Sequence, residues 1–228
     1  MKISVVIPAY NEEKRIANCL DSLMSQEEKP DEIIVVDNNS SDKTIGIVKK
    51  YKKVILIQEK KQGITPTRNA GFNKASGDII ARCDADTVLP SNWIKNIKND
   101  FYRDTSIVAI SMPIRLNSVP VLKHFKMLFY IYMLVPRLLI GVYPMIGPGL
   151  AIKKTIWNKV KDDICFEDKN VHEDIDLTLH IRKYGKIYHD GNTVVASSAR
   201  RIINNPASFF GEYTIRFFKM FYSHRHLV

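Results

Sequence analysis

The chain has 228 residues, 45% hydrophobic and 25% charged, ordinary globular values that exclude wholesale disorder and suffice for one sizeable core. Lys and Arg number 34 against 24 Asp and Glu, a formal net charge of +10 that favours polyanionic partners such as nucleotide phosphates, anionic lipid or nucleic acid without choosing among them. The cysteines, Cys19, Cys83 and Cys165, have no metal-ligand or redox spacing, and a strand pattern begins at once after Met1, so the expectation is a reducing, cytoplasmic setting with no signal peptide.

Residues 3–7 form a continuous apolar run, the pattern of a strand buried on both faces, and it stops at Pro8. Ile16, Cys19, Leu20 and Leu23 then recur at helical spacing, with Glu12 and Glu13 expected in the first turn of that helix. The alternation repeats: a strand at 33–36 ending at Asp37, turn chemistry over 38–42, a helix over 44–51, a strand at 54–57, a helix over 65–75 closed by Gly77, and a strand at 78–81. Such alternation predicts parallel βαβ units, whose ligands bind beyond the carboxyl ends of the strands. Asp37, Asp84 and Asp86 fall at such ends. The turn after the first strand, Pro8-Ala9-Tyr10-Asn11-Glu12, has no glycine, which argues against the dinucleotide fingerprint of an oxidoreductase. Asp84 and Asp86, one residue apart at a strand end, are expected to project from one face. An all-oxygen pair of this kind suits Mg2+ or Mn2+, with positions left open for nucleotide phosphates.

In the second half, Trp93, Ile94, Ile97 and Phe101 mark a helix and 107–112 a strand. Residues 127–152 carry a single charge, Arg137, but Pro136, Gly141, Pro144, Gly147, Pro148 and Gly149 interrupt them. No run reaches the roughly 18 apolar residues of a spanning helix, so an interfacial or re-entrant segment is expected instead. His172-Glu173-Asp174 opens a helix that buries Ile175 and Leu179 and ends before Gly185; acids in a first turn complement the helix dipole and need no further role. Short strands at 187–189 and 193–196 lead to Ser198-Ala199-Arg200-Arg201. Phe210, Tyr213, Phe217 and Phe221, with Phe218, Tyr222, Arg216, Lys219 and Arg225 beside them, make an aromatic and basic amphipathic helix. It suits a membrane interface or packing onto the core, and with the apolar 127–152 region it predicts peripheral contact with the inner face of a membrane.

Five blocks carry a resemblance: Val5-Val6-Ile7-Pro8-Ala9-Tyr10-Asn11-Glu12, Val35-Val36-Asp37-Asn38-Asn39-Ser40-Ser41-Asp42-Lys43-Thr44, Arg68-Asn69-Ala70-Gly71, Asp84-Ala85-Asp86 and Glu173-Asp174. In this order, over residues 3–201, they resemble the family 2 glycosyltransferases of the GT-A fold. The resemblance implies an α/β architecture, a Rossmann-like, mixed but mostly parallel sheet flanked by helices. It implies a 1–201 domain with a nucleotide-binding half (1–87) and an acceptor-binding half (88–201), followed by a 202–228 extension. Pro8, Ala9, Tyr10, Glu12 and Asp37 would hold the nucleoside, usually uridine, although Glu12 and Asp37 read equally as a first-turn acid and a turn former. Arg68 would contact phosphate or base, or else lie on a solvated helix face. Asp84 would take the ribose or a metal-bound water, with Ala85 between it and the metal ligand Asp86. Gly149 would lie on a glycine-bearing strand of the acceptor region, Glu173 would support the acceptor or orient its loop, and Arg200 and Arg201 would approach the diphosphate. Asp174 would be the catalytic base, kept ionised by its helix N-terminus. His189 matches a third metal ligand of some GT-A enzymes, and a structural histidine is the simpler reading.

The implied activity is inverting, metal-dependent transfer from a nucleotide-sugar, UDP-linked in most of the family, to a hydroxyl acceptor; a lipid-linked or cell-surface glycan precursor is an open class of acceptor. Two rivals stand beside it. A noncatalytic nucleotide- or headgroup-binding module would be expected to lose the carboxylates, which are all present, and a nucleotidyltransferase would need a Gly-rich basic loop where residues 8–13 are acidic. Nucleic acid is not expected as a partner, since only the net charge speaks for it.

Overall fold

The computed structural model describes residues 1–117, 134, 136–166, 172–205 and 211–223. In chain order the elements are β1 (Ile3–Ala9), α1 (Ile16–Met24), β2 (Glu32–Asp37), α2 (Thr44–Val48), β3 (Val54–Gln58), α3 (Ile64–Lys74), β4 (Ile79–Arg82), α4 (Trp93–Arg103), β5 (Ile107–Ser111) and β6 (Ile114–Asn117). After the undescribed stretch come β7 (Leu150–Lys153), α5 (Lys154–Val160), α6 (Glu173–Ile181), β8 (Lys186–His189), β9 (Val195–Ser198), α7 (Arg200–Asn204) and α8 (Tyr213–Ser223). A 7-stranded sheet has the order β3-β2-β1-β4-β7-β5-β8, and β6 and β9 pair separately. Only β7 runs antiparallel to its neighbours in the large sheet. The mixed, mostly parallel α/β sheet expected from the sequence is therefore observed. One sheet serves both halves, because β7 from the second half lies directly against β4 from the first.

The continuous apolar run of β1 reflects burial on both faces. Val5 and Ile7 join Ile16, Cys19, Leu20, Leu23, Trp93 and Ile97 on one side of the sheet, while Val6 joins Ile34, Val36, Phe72, Ile80, Trp157 and Leu177 on the other. Helix α3 lies so close to the sheet that a Cβ on Gly71 would come 2.3 Å from Val6 Cγ1 and 2.8 Å from Val36 Cγ2, so that position accepts only a glycine without displacement.

Several boundaries differ from expectation. β1 continues through Pro8 to Ala9. The carbonyl of Val6 accepts from Cys83 and that of Ala9 from Asn38, so Pro8 faces the β4 side, where the β1–β4 ladder has already ended at Val6 and Arg82. The missing N–H of proline therefore costs no ladder bond. Helix α1 begins at Ile16, with Glu12 and Glu13 ahead of it. Asn11 adopts a left-handed φ of 54°, its side-chain oxygen accepts the Ser41 amide at 2.9 Å, and the Glu12 carbonyl receives the amides of Arg15 and Ile16. A loop thus occupies what the pattern suggested was a first turn. Asp84 and Asp86 also sit in a turn beyond β4, not on one strand face, because the partners of β4 end their pairing at Arg82.

At the C-terminus, Phe217 and Met220 of α8 pack on Ile140, Ile175 and Leu179, so one face of this helix belongs to the core. Ile215, Phe218 and Tyr222 lie on the exposed side. Among the described residues no helix is long and apolar enough to cross a membrane. Residues 127–133, Phe210 and Arg225 lie outside the described residues.

Candidate active site

The parallel strands β1, β2 and β4 deliver their loops to one edge of the sheet. Asn38 ties the loop after β2 to the loop after β3, its amide donating to the carbonyls of Glu59 (2.8 Å) and Lys61 (2.9 Å) while its oxygen accepts from the Gly63 amide (2.9 Å). At this edge Tyr10 is 51% exposed, a ring face open to a planar ligand. Asp37 is buried at the end of β2, where its carboxylate accepts the amide of Ser40 at 3.2 Å.

Two charged clusters meet at the turn that carries Asp84 and Asp86. In the first, Arg200 at the start of α7 forms an ion pair with the buried Glu12, and its Nε lies 3.6 Å from Asp86 Oδ2. The Ser197 hydroxyl lies 3.4 Å from Asp86 Oδ1. The first sequence block, the Asp84–Asp86 block and the basic tetrapeptide are thereby brought together; the Arg201 side chain lies outside the described residues.

The second cluster is centred on Arg82, the last residue of β4 and only 2% exposed. Its Nη1 donates to Glu173 Oε1 at 2.7 Å and to Asp174 Oδ1 at 3.0 Å, and its Nη2 donates to Asp84 Oδ1 at 3.1 Å. Arg68 pairs with the Glu173 carboxylate and also donates to the Glu173 carbonyl at 3.0 Å. The Gly147 amide donates to Asp174 Oδ2 at 2.8 Å. Arg68 is fully buried, which corrects the solvated-face alternative: α3 is pressed onto the sheet through Gly71, and this turns Arg68 inward.

Burial sets the electrostatics of this cluster. It would raise the Glu173 carboxyl, but the charges of Arg82 and Arg68 outweigh it and bring the pKa down to about 2. For Asp174, burial and the negative charge of Glu173 prevail over Arg82 and the Gly147 amide, and its pKa stands well above the usual carboxylate range. The expectation that its helix N-terminus keeps Asp174 ionised is corrected accordingly, because removal from water and the neighbouring Glu173 carboxylate favour its protonated form. Burial works against the charged form of Arg82, yet Glu173, Asp84 and Asp174 together hold it firmly protonated.

Gly149 is buried, and a Cβ there would meet Met112 Cβ at 3.2 Å and Val195 Cγ2 at 3.3 Å; the glycine that touches Asp174 is Gly147. The His189 ring stacks on Tyr143 with centroids 4.4 Å apart. No three His, Cys, Asp or Glu side chains gather at a metal-holding distance among the described residues, so His189 does not complete a triad with Asp84 and Asp86. In this turn Asp86 and Asp84 offer a cation carboxylate oxygen, with side chains 13% and 33% exposed. That donor set fits Mg2+ or Mn2+, which take one or two carboxylates and complete their shell with water and phosphate. Sequence reasoning did not single out Arg82 or Gly147. An arginine inside the apolar run that leads to Asp84 was the available signal, since a buried guanidinium requires carboxylate partners.

The family model for glycosyl transferase family 2 matches residues 4–159. Among curated proteins, the chain is 34% identical over 103 residues to a Staphylococcus aureus poly(ribitol-phosphate) beta-N-acetylglucosaminyltransferase, TarS, covering 42% of this chain and 18% of that protein. It is 33% identical over 102 residues to a Campylobacter jejuni GalNAc(5)-diNAcBac-PP-undecaprenol beta-1,3-glucosyltransferase, covering 42% and 33%. The matched regions span a minor part of these relatives. Among solved structures, glucosyl-3-phosphoglycerate synthase from Mycobacterium tuberculosis, in complex with Mn2+, UDP-glucose and phosphoglyceric acid, superposes with a TM-score of 0.70 at 18% identity, covering 96% of this chain and 79% of that one. With the sheet order, the placement of the sequence blocks and a family match over most of its length, the chain belongs to glycosyl transferase family 2.

Proposed function

We propose that the chain transfers a sugar from a nucleotide-sugar to a hydroxyl acceptor, with Asp174 as the base and residues 1–87 and 88–201 as its donor and acceptor halves. The observation that carries this reading is the convergence of Asp84 and Asp174, 90 residues apart in sequence, on one buried guanidinium at the carboxyl end of β4. A binding module would have no need to keep a buried carboxylate of raised proton affinity beside the donor motif. Tyr10, between Ala9 and the loop of Glu12, offers its ring to the base, and Asp37 serves the nucleoside. Asp86 and Asp84 would hold Mg2+ or Mn2+, which supplies charge neutralisation for a diphosphate. Asp174 takes the proton of the acceptor hydroxyl while that oxygen bonds to the anomeric carbon from the face opposite the diphosphate. The glycosidic bond to the diphosphate breaks with its electron pair, inverting the centre, and Arg200 with Arg201 stabilises the leaving group.

Support for the donor class comes from the Mn2+ and UDP-glucose of the mycobacterial neighbour and the Mn2+ and GDP-mannose of a Pyrobaculum calidifontis mannosyltransferase with a TM-score of 0.70. The test is thermal unfolding with UDP-glucose, UDP-N-acetylglucosamine and GDP-mannose, each with Mn2+, with Mg2+ or with EDTA. A donor at a hundred times its Kd adds about 2.7 kcal/mol, which at roughly 2–4 °C per kcal/mol for this size raises Tm by about 5–11 °C. Stabilisation by none of the three would refute the donor assignment, and stabilisation undiminished by EDTA would refute the metal.

A lipid-linked acceptor and peripheral contact with the inner face of a membrane form part of the same reading, supported by the undecaprenol in the name of the Campylobacter relative and by the exposed Ile215, Phe218, Tyr222 and Leu138. Full-length protein is expected to cosediment with phosphatidylglycerol vesicles, and the Ile215→Glu, Phe218→Glu variant to bind them more weakly. Protein that stays in the supernatant at low salt would count against the contact.

A further inference from the structure

Arg82 is buried at the end of β4, where an unpaired guanidinium would be costly. Its Nε is buried without a hydrogen-bond partner, so the side chain forgoes one bond while its two Nη atoms reach three carboxylates. Of these, Glu173 already has Arg68. What Arg82 adds is a link between Asp174 on α6 and Asp84 in the turn after β4. The guanidinium also has a fitted cradle: a Cβ on Gly147 would lie 2.5 Å from Nη2 and 2.7 Å from Cζ, and the amide of that same glycine holds the other oxygen of Asp174. Both oxygens of Asp174 are therefore fixed, one by Arg82 and one by Gly147. A lysine could carry the charge but not the fork, since an ammonium is a compact point donor on a flexible stem.

Resting on the reading of Asp174 as base, we infer that Arg82 is a positioning residue for the transfer step: its guanidinium holds the base carboxylate and the donor-site carboxylate of Asp84 at a fixed separation and aims the base at the acceptor hydroxyl. A displacement of about 1 Å in such a constellation costs on the order of 10²-fold in rate.

The test uses the full chain and the donor panel above, with turnover read as release of UDP or GDP. Arg82→Lys is expected to lose about 10²-fold in kcat, a larger factor than its loss in calorimetric binding of UDP with Mn2+, because Asp86 still holds the metal when Asp84 is loosened. Guanidinium ion added to Arg82→Ala is expected to restore part of the turnover, and Arg82→Ala combined with Asp174→Asn to be no slower than Asp174→Asn alone, the non-additivity of groups that act as a unit. Wild-type kcat in Arg82→Lys, or losses that multiply in the double variant, would overturn the inference. Should Arg82→Ala fail to fold, Arg82→Lys keeps the buried charge and still decides. A readout free of turnover is the side-chain 15N signal of Arg82, which both UDP with Mg2+ and the Asp174→Asn substitution are expected to shift; a signal indifferent to either one also overturns it. An Asp174→Asn enzyme that turns over normally would instead refute the base assignment, leaving the effect of Arg82 to be read from its own variants.

Discussion

Asp174→Asn is expected to lower transfer by about 10²–10⁴-fold, the range of a positioned general base, without lowering the thermal stability of the protein. The second half of this expectation follows from charge. The cluster sets the guanidinium groups of Arg68 and Arg82 against the carboxylates of Asp84, Glu173 and Asp174, an excess of one negative charge that an amide at 174 removes; its single oxygen still accepts from Gly147, and Arg82 Nη1, which loses Asp174 as acceptor, keeps Glu173. Because burial and Glu173 raise the folded-state pKa of Asp174, the folded protein binds a proton more readily than the unfolded chain between the two pKa values. This residue therefore detracts from stability as pH rises through that window, and the full penalty stands above its folded pKa. Activity runs the opposite way, since only the ionised carboxylate accepts a proton. The rate should fall on an acid limb lying above the ordinary aspartate range, and that limb should disappear from the residual activity of Asp174→Asn. Turnover that survives the substitution with the limb unchanged would show that the proton goes elsewhere.

The second large effect is expected at Asp86. Asp86→Ala should abolish the Mn2+-dependent part of the thermal stabilisation by nucleotide-sugar and reduce turnover by at least about 10²-fold, as expected when charge stabilisation of a leaving group is lost. In the absence of ligand, Asp86 faces Arg200 Nε at 3.6 Å and the Ser197 hydroxyl at 3.4 Å, so the ligand-free melting temperature of the variant measures the cost of disturbing these contacts, separately from the loss of metal-dependent stabilisation. Differential scanning fluorimetry with and without Mn2+ separates these effects. A variant with full metal-dependent stabilisation would remove Asp86 from the metal site.

Much of the fold was legible because the forces that make it are local or periodic. The apolar run of β1 and the 3–4 spacing of Ile16, Cys19, Leu20 and Leu23 gave their elements directly. The errors fell where a partner distant in sequence decides the outcome. Whether residues 12–15 join a helix depends on Asn11 turning left-handed to reach Ser41, and whether Asp84 lies on a strand depends on where β1 and β7 stop pairing with β4. At the site, position marked Asp37, Asp84 and Asp86 as strand-end acids and Asp174 as a first-turn acid, but the roles expected of Asp37 and Asp174 came from the family resemblance and not from position. Arg82 showed in sequence only as a charge inside an apolar run, because the three carboxylates it binds are gathered by the folded chain. Gly147 and Gly149 look alike in sequence, and only packing shows which one touches Asp174.

The insertion of β7 between β4 and β5 bears on how this chain can be re-engineered. A chimera that cuts the chain after residue 87 and grafts a foreign second half must replace a strand in the middle of the sheet, in register along both of its edges. On the proposed reading, donor and acceptor preferences would then not be exchangeable cassettes, and altering the acceptor would call for loop grafts that leave Leu150–Lys153 and its two ladders untouched.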